Sequence, residues 1–253
     1  MFRLLICVFA LACASQTAYA AELLRAQGHT FRWGTGQQSA PQTITYALVT
    51  TTYAVPGGKS VVSPDNCGAM RAFNDIVANS PAVSQTAALD QLEAAFAQWQ
   101  EAANITFIRV DDPARANIVV GAAERTSGRA FANLSYRSSA NLQPVGKALG
   151  GPAEDTARRP SASASVVEID QAYVCLNPVA PWKIGFDGDL QVYDLKYTFT
   201  HEIGHAIGLD HPGRTGAIMG YRYDETSPAL REGDIVAAQS IYGPRGAKAP
   251  VLD

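Results

Sequence analysis

The sequence has little of what marks a nucleic-acid-binding or membrane protein. Only 17% of its 253 residues are charged, and the formal net charge is −3. No cluster of lysine and arginine offers a basic surface to nucleic acid or to lipid headgroups. After the first 20 residues, no apolar run approaches the roughly 20 residues that a membrane-spanning helix needs. We therefore expect neither a nucleic-acid partner nor a membrane span.

Cysteine and histidine are scarce, with four of each in the chain. Cys7 and Cys13 lie among the first 20 residues, which leaves Cys67 and Cys175 for the rest of the chain. Two cysteines in an exported chain favour a disulfide between them. The alternatives are two separate buried thiols, or a Cys67 thiolate that caps a metal ion and holds an enzyme latent.

Residues 1–20 have the features of an export signal. Arg3 supplies a positive start, Leu4–Ala14 is a short apolar run, and Ala18-Tyr19-Ala20 is an A-x-A-like cleavage site. We therefore expect cleavage after Ala20 and secretion to the outside of the cell, with a periplasm as the alternative.

The rest of the chain has the length of one domain. We expect residues 21–245 to form that domain and residues 246–253 to be a flexible tail. Hydrophobic patterns predict strands at Thr43–Thr50, Asn104–Val110, from Asn117, and at Ser165–Ile169, and helices at Thr86–Ala103, Gln191–Gly208 and Asp234–Gly243.

Two stretches remain open to more than one interpretation. Residues 121–164 are rich in Gly, Ala, Ser and Arg and predict a long irregular insertion, which either borders a cleft or is simply exposed. The turn Phe186–Asp189 holds two closely spaced carboxylates, Asp187 and Asp189. Such a turn either binds calcium or is solvated.

The most informative stretch is the eleven-residue segment His201–His211. His201 and His205 are four residues apart, so on a helix both imidazoles lie on one face and can reach a single zinc ion. Glu202 is placed to reach a metal-bound water. Gly208 permits the chain to turn back, so that His211 arrives as a third ligand. Three protein ligands leave one position open for water, as in a catalytic zinc site.

The residues that follow add a resemblance to a known family. The long zinc motif, and Met219 within Ala217-Ile218-Met219, are similar to the zinc motif and methionine-containing turn (Met-turn) of metzincin metallopeptidases. The short step from His211 to Met219 and the final helix resemble the matrixin-like branch, peptidase M10. This resemblance implies an α+β fold: a twisted mixed sheet of about five strands, with an N-terminal, an active-site and a C-terminal helix.

The sequence also departs from the matrixin pattern. Matrixins usually hold a second, structural zinc with several histidines, but only His29 remains here, so we expect one zinc. The Pro-Arg-Cys-Gly latency motif is absent. Tyr221 stands where matrixins usually have proline. Astacin- and serralysin-type enzymes have tyrosine there, as an extra zinc ligand and transition-state donor; the alternative for Tyr221 is a packed aromatic wall of the pocket.

These features predict a secreted, monomeric zinc endopeptidase that acts on proteins or peptides. Zinc would activate water, and Glu202 would act as general base. Two alternatives remain: a non-catalytic zinc-binding protein on the same scaffold, and a zinc amide hydrolase with a narrow substrate.

Overall fold

The structure is a computed structural model that describes residues 22–26, 28–34, 40–56, 66–125, 128–137, 165–212 and 217–247. The predicted export signal lies outside the described residues. So do residues 138–164 of the predicted insertion and residues 248–253 of the predicted tail.

The described residues form thirteen strands and three α-helices. The strands are β1 (Glu22–Leu23), β2 (Arg25–Ala26), β3 (His29–Arg32), β4 (Gln42–Leu48), β5 (Thr52–Ala54), β6 (Ala69–Arg71), β7 (Ile105–Arg109), β8 (Ile118–Ala123), β9 (Ala130–Arg137), β10 (Ser165–Leu176), β11 (Trp182–Lys183), β12 (Tyr193–Asp194) and β13 (Leu209–Asp210). The helices are α1 (Gln85–Ala102), α2 (Leu195–Ala206) and α3 (Glu232–Tyr242), with 3₁₀ helices at Phe73–Val77 and Pro113–Arg115.

Nine of these strands form one mixed sheet. Its main order is β2-β3-β10-β8-β4-β7; β9 pairs with β10, β6 pairs with β8, and β5 pairs with β6. The pairs of β10 with β3 and β8, and of β4 with β7 and β8, are parallel, whereas β9 runs antiparallel to β10. Because β9 and β8 pair with the same stretch of β10, they lie on its opposite edges. β9 is therefore an edge strand among the described residues.

The predicted α+β class is confirmed, with the three helices in the expected order. The sheet is larger than the expected five strands, although five of its nine strands have five or more residues. The additional strands are short edge pieces whose two to four residues give little sequence periodicity.

Helix α1 packs its apolar stripe against α2, the helix that carries the zinc motif. Leu92, Phe96 and Trp99 recur at helical spacing and are all buried. The Trp99 indole N–H donates a hydrogen bond to the carbonyl oxygen of Thr200 at 2.8 Å. This bond satisfies the polar atom of a buried tryptophan and also fixes α1 to α2.

The prediction that residues 121–164 are irregular is wrong for the first part of that stretch. Strand β8 continues to Ala123, and Ala130–Arg137 forms β9. Ala132, Leu134 and Tyr136 are buried, but so is the polar Asn133 between two of them, so burial along β9 does not alternate strictly. Small and polar residues separate the large apolar ones, and these carry little β-propensity, which is why the strand was not recognised. Strand β10 likewise extends seven residues beyond the predicted Ile169, to Leu176.

Two helix boundaries also differ from the prediction. Helix α2 begins at Leu195 rather than near Gln191, because the Asp194 carboxylate accepts a hydrogen bond from the Tyr197 N–H at 2.7 Å and caps the helix. Helix α3 begins at Glu232, and Asp234 lies within its first turn. No helix in the described part of the chain is long and apolar enough to cross a bilayer.

A second, smaller apolar cluster includes the two cysteines. Cys67 and Cys175 are joined by a disulfide and are fully buried. They pack with residues from the sheet, among them Val49, Met70 and Tyr173. The Cys67 sulfur is covalently bound and therefore does not serve as a free thiolate that caps a metal.

We predict that this disulfide contributes substantially to stability. It spans 108 residues of sequence, and the loss of chain entropy in the unfolded state predicts a stabilisation of about 4–5 kcal/mol for a loop of this length. The single variants Cys67→Ala and Cys175→Ala should each lower the free energy of unfolding by nearly as much as the double variant, because either one breaks the link. Urea denaturation measures this. Single variants within about 1 kcal/mol of the parent would contradict it.

Candidate metal centre

The zinc-motif helix is anchored by one face and presents its histidines on another. Leu195, Phe199 and Ile203 are fully buried in the main core. His201 and His205 lie off this stripe. The helix is therefore held by packing, and its ligands are placed by a rigid support.

The structure brings the three predicted histidine ligands together. The Nε2 atoms of His201 and His211 are 3.0 Å apart, those of His201 and His205 3.1 Å, and those of His205 and His211 3.2 Å. A point about 2.0–2.1 Å from all three nitrogens, the usual Zn–N distance, exists for a triangle of this size. Among the described residues, these histidines form the one group of three or more His, Cys, Asp or Glu that is arranged to hold a metal.

Backbone carbonyls fix the tautomers of two of these rings. The Nδ1 atom of His201 is 2.7 Å from the carbonyl oxygen of Ile218, and that of His205 is 2.9 Å from the carbonyl oxygen of Leu209. A carbonyl can only accept, so each Nδ1 carries the proton and donates it. Each neutral ring then directs an unprotonated Nε2 at the common point, as a metal ligand requires.

A glycine turn delivers the third histidine. Gly208 has φ +96°, a conformation that L side chains rarely adopt. A Cβ atom at this position would also overlap the carbonyl oxygen of Phe31. The chain turns here, passes through β13 and reaches His211, whose backbone N–H donates to the Asp210 carboxylate at 2.8 Å.

Burial sets the protonation of the site. It lowers the pKa of His201 to about 3 and that of His205 to about 4, and it also lowers the pKa of His211. The three rings are therefore neutral at pH 7. Burial has the opposite effect on Glu202, whose pKa it raises to about 8. A dication nearby would favour the carboxylate form and offset that burial.

Met219 lies beneath the zinc-motif helix, in close contact with Gly204. A Cβ on Gly204 would overlap the Met219 sulfur and lie 2.9 Å from Cζ2 of Trp99. The turn Ala217–Gly220 closes with a hydrogen bond from the Gly220 N–H to the Ala217 carbonyl oxygen. The glycine inside the motif is thus the position where the Met-turn fits under the helix.

Asp234 holds that turn in place, a role that the sequence analysis did not assign. Its fully buried carboxylate accepts hydrogen bonds from the backbone N–H groups of Ile218 at 2.9 Å and Met219 at 3.2 Å. It also accepts one from the N–H of Arg231, at the start of α3. The sequence signal was an aspartate near a helix start, which resembles an ordinary cap.

Tyr221 stands beside the histidines on the solvent side. Its ring centroid lies 5.6 Å from that of His211, with the two planes at 85°. Its side chain is 46% exposed. The ring therefore borders the metal centre without being packed into the protein interior.

The acidic turn for which calcium binding or solvation was expected has exposed carboxylates, and it also faces a lysine. The Lys183 ammonium contacts the Asp187 carboxylate, the carbonyl oxygen of Asp189 at 2.8 Å and Glu225 at 2.6 Å. Glu225 also accepts hydrogen bonds from the Tyr223 hydroxyl and the Gly188 N–H. This network connects the turn to the segment that follows the Met-turn. A calcium ion there would have to displace the ammonium group.

The pKa shifts predict how the metal-free protein responds to pH. As pH falls from about 6.5 towards about 3, the unfolded chain binds protons at histidines that stay neutral in the folded protein, so stability falls. As pH rises from 4.5 towards about 8, folded Glu202 keeps a proton that the unfolded chain loses, which also lowers stability. Below about pH 6.5 the effect of the three histidines on stability is larger than the opposing effect of the one glutamate. Above this pH only the effect of the glutamate remains, so the free energy of unfolding should be greatest near pH 6.5.

Chemical denaturation of chelator-treated protein across this pH range tests that expectation. Glu202→Gln should remove the loss of stability between about pH 6.5 and 8, and it should make the fall between about pH 6.5 and 4.5 steeper, because the glutamate no longer opposes the histidines there. An identical profile above pH 6.5 in parent and variant would show that Glu202 is not protonated in the folded, metal-free protein.

We also predict that Gly204→Ala lowers stability by about 1–3 kcal/mol, because the added methyl group overlaps Met219. The double variant Gly204→Ala/Met219→Ala should be less destabilised than the sum of the two single variants, since the overlap with the Met219 side chain is gone. Urea denaturation of the four proteins gives the coupling energy. Strict additivity would contradict the close contact.

Comparison with known proteins identifies the family. A family model described as Matrixin (Peptidase_M10) matches residues 73–243, which is more than half of the chain. Over 64 residues the chain is 45% identical to matrix metalloproteinase-9 of Canis lupus familiaris, a match that covers 25% of this chain and 9% of that protein. It is 41% identical over 70 residues to matrix metalloproteinase-16 of Rattus norvegicus and of Homo sapiens, covering 25% of this chain and 11% of each. The chain thus matches about a tenth of the length of these relatives. The match with the family model confirms the resemblance seen in the sequence: the chain belongs to the matrixin family of metallopeptidases.

Proposed function

We propose that the protein is a zinc-dependent endopeptidase. The observation that carries the proposal is the convergence of three neutral imidazoles on one point, next to a buried glutamate. The donor set fits zinc, because three imidazole nitrogens are among its usual ligands. Three ligands also leave a coordination position for water or substrate, which a purely structural zinc site would fill with a fourth protein ligand.

The chain's own residues divide the chemistry between binding and proton transfer. His201, His205 and His211 would hold the zinc, which when bound supplies an acidified water and a Lewis acid for the scissile carbonyl. The Glu202 carboxylate then accepts a proton from the attacking water and delivers it to the leaving amine. The Tyr221 hydroxyl, at the rim of the site, donates a hydrogen bond to the developing oxyanion.

Strand β9 provides a surface for an extended peptide. It packs near α2 and pairs with β10 along one edge, so its other edge is available for main-chain hydrogen bonds in the described part of the chain. A substrate segment can add there as a further strand, with its scissile bond carried towards the histidines. Such recognition uses backbone groups that every peptide has, which suits an endopeptidase.

The proposal also covers the location, the domain organisation and the oligomeric state of the protein. We include secretion after cleavage at Ala20 in the proposal, with a single catalytic domain at residues 21–245 acting as a monomer. The buried disulfide supports secretion, because such bonds form and persist in oxidising compartments. Fractionation of expressing cells would distinguish release to the medium from retention in a periplasm.

Replacing Glu202 by glutamine tests the proposed mechanism. We expect Glu202→Gln to bind zinc as the parent does and to lose about 10²–10⁴-fold in kcat/KM, because the amide cannot accept the proton. Zinc content by metal analysis and cleavage of a quenched fluorescent peptide library measure the two effects. Glu93→Gln, at a half-exposed glutamate on α1, is the matched control.

The possible outcomes separate the alternatives. Hydrolysis by Glu202→Gln within tenfold of the parent would exclude the general-base role. A parent protein that binds zinc but cleaves no library peptide would instead indicate a non-catalytic zinc protein or an amide hydrolase of narrow specificity.

A further inference from the structure

The segment Glu22–Ala26, which we call the N-terminal brace, pairs with the strand that leads into the third histidine. β1 runs antiparallel to β13, with Glu22 opposite Asp210 and Leu23 opposite Leu209. The N–H of Leu24 donates to the carbonyl oxygen of Gly208 at 2.8 Å. The brace and the third-ligand strand are more than 180 residues apart in sequence, so this pairing is a long-range tertiary contact.

The register of this pairing places the Leu209 carbonyl on the side of His205. In an antiparallel pair, only alternate residues exchange hydrogen bonds with the partner strand. Because Leu24 bonds with Gly208, the carbonyl of the next residue, Leu209, points to the opposite edge. That carbonyl accepts the Nδ1–H of His205 at 2.9 Å. The pairing therefore orients the acceptor that fixes the His205 ring.

The other end of the brace is fixed to the main sheet. β2 pairs antiparallel with β3, and the side chains of Leu24 and Ala26 are buried in the main core. β3 also supports the glycine turn, since the Phe31 carbonyl oxygen lies directly against Gly208. The brace thus links a sheet edge to the two-residue strand β13, which among the described strands pairs with β1 alone.

We infer that the N-terminal brace is a positioning element of the metal centre. It acts through the backbone of residues 208–210, which orients His205 by the Leu209 carbonyl and sets the position of His211. The inference rests on the proposed zinc function and adds to it a dependence of metal affinity on residues near the start of the chain. Loss of the partner that orients a ligand typically costs 10–100-fold in metal affinity or activity.

Proline substitution in the full chain tests this inference, because proline removes the backbone N–H. Leu24→Pro should weaken zinc binding about 10–100-fold relative to Leu24→Ala, which shortens the side chain more than proline does but keeps the donor. Competition with a chromophoric chelator measures the affinity. The absorption spectrum of the cobalt-substituted protein should change in the proline variant alone, since it reports ligand geometry. At saturating zinc, kcat should fall with little change in KM.

A second pair of variants, at Glu22, tests the same pairing in case Leu24→Pro does not fold. Glu22 is exposed, so Glu22→Pro costs little packing, and Glu22→Ala is its control. Proline variants with zinc affinities within threefold of their alanine controls would overturn the inference and leave the proposed function standing. Proline variants that unfold while the alanine controls stay folded would also overturn it, because the segment would then support the whole fold. A parent chain that binds no zinc would contradict both the proposed function and the inference.

Discussion

The metal centre depends on the hydrogen bonds between two ligand histidines and backbone carbonyls. The Ile218 and Leu209 carbonyls each accept an Nδ1–H, which leaves Nε2 of His201 and of His205 with a lone pair. These acceptors come from the Met-turn and from β13, two segments that follow α2 in the sequence. Both neighbouring segments must therefore be in place before the two rings on one helix face can present equivalent nitrogens.

Each of these segments is held by a different device. The Met-turn is fixed by the buried Asp234 carboxylate and by the contact between Met219 and Gly204. The β13 segment is fixed by the turn at Gly208 and by pairing with β1. The helix itself is placed by its apolar stripe and by Trp99. The precision of the site thus comes from elements that are distant in sequence, which is the arrangement that a preorganised ligand set requires.

The sequence predicted which histidines converge, but it did not predict what holds them in place, for a physical reason. A helix period of 3.6 residues converts the spacing of His201 and His205 directly into proximity. Gly208 predicted the turn that brings in His211, and the family pattern added Met219. The three helices followed from hydrophobic periodicity, whereas the fold class was implied by the resemblance to matrixins. The roles of Asp234 and strand β9 depend on long-range packing, which the sequence does not show. A buried carboxylate looks like an ordinary helix cap, and a strand in which small and polar residues interrupt the large apolar ones looks like a loop. The network of Lys183 and Glu225 likewise joins segments that only the fold brings together.

The opposite effects of burial on the histidines and on Glu202 explain why this site suits a cation. Desolvation keeps three imidazoles neutral and would keep the glutamate protonated, so the pocket as folded holds bases without charge and an acid without a counter-ion. A dication at the common point suits both groups, since the neutral imidazoles can bind it and its charge favours the carboxylate form of Glu202. The frame around the pocket relies on interactions that need no metal: the disulfide, the Asp194 and Asp234 hydrogen bonds, and the α1–α2 packing. A metal-free protein can therefore keep its fold while the ionisation state of Glu202, and with it the capacity to accept a proton, depends on the ion.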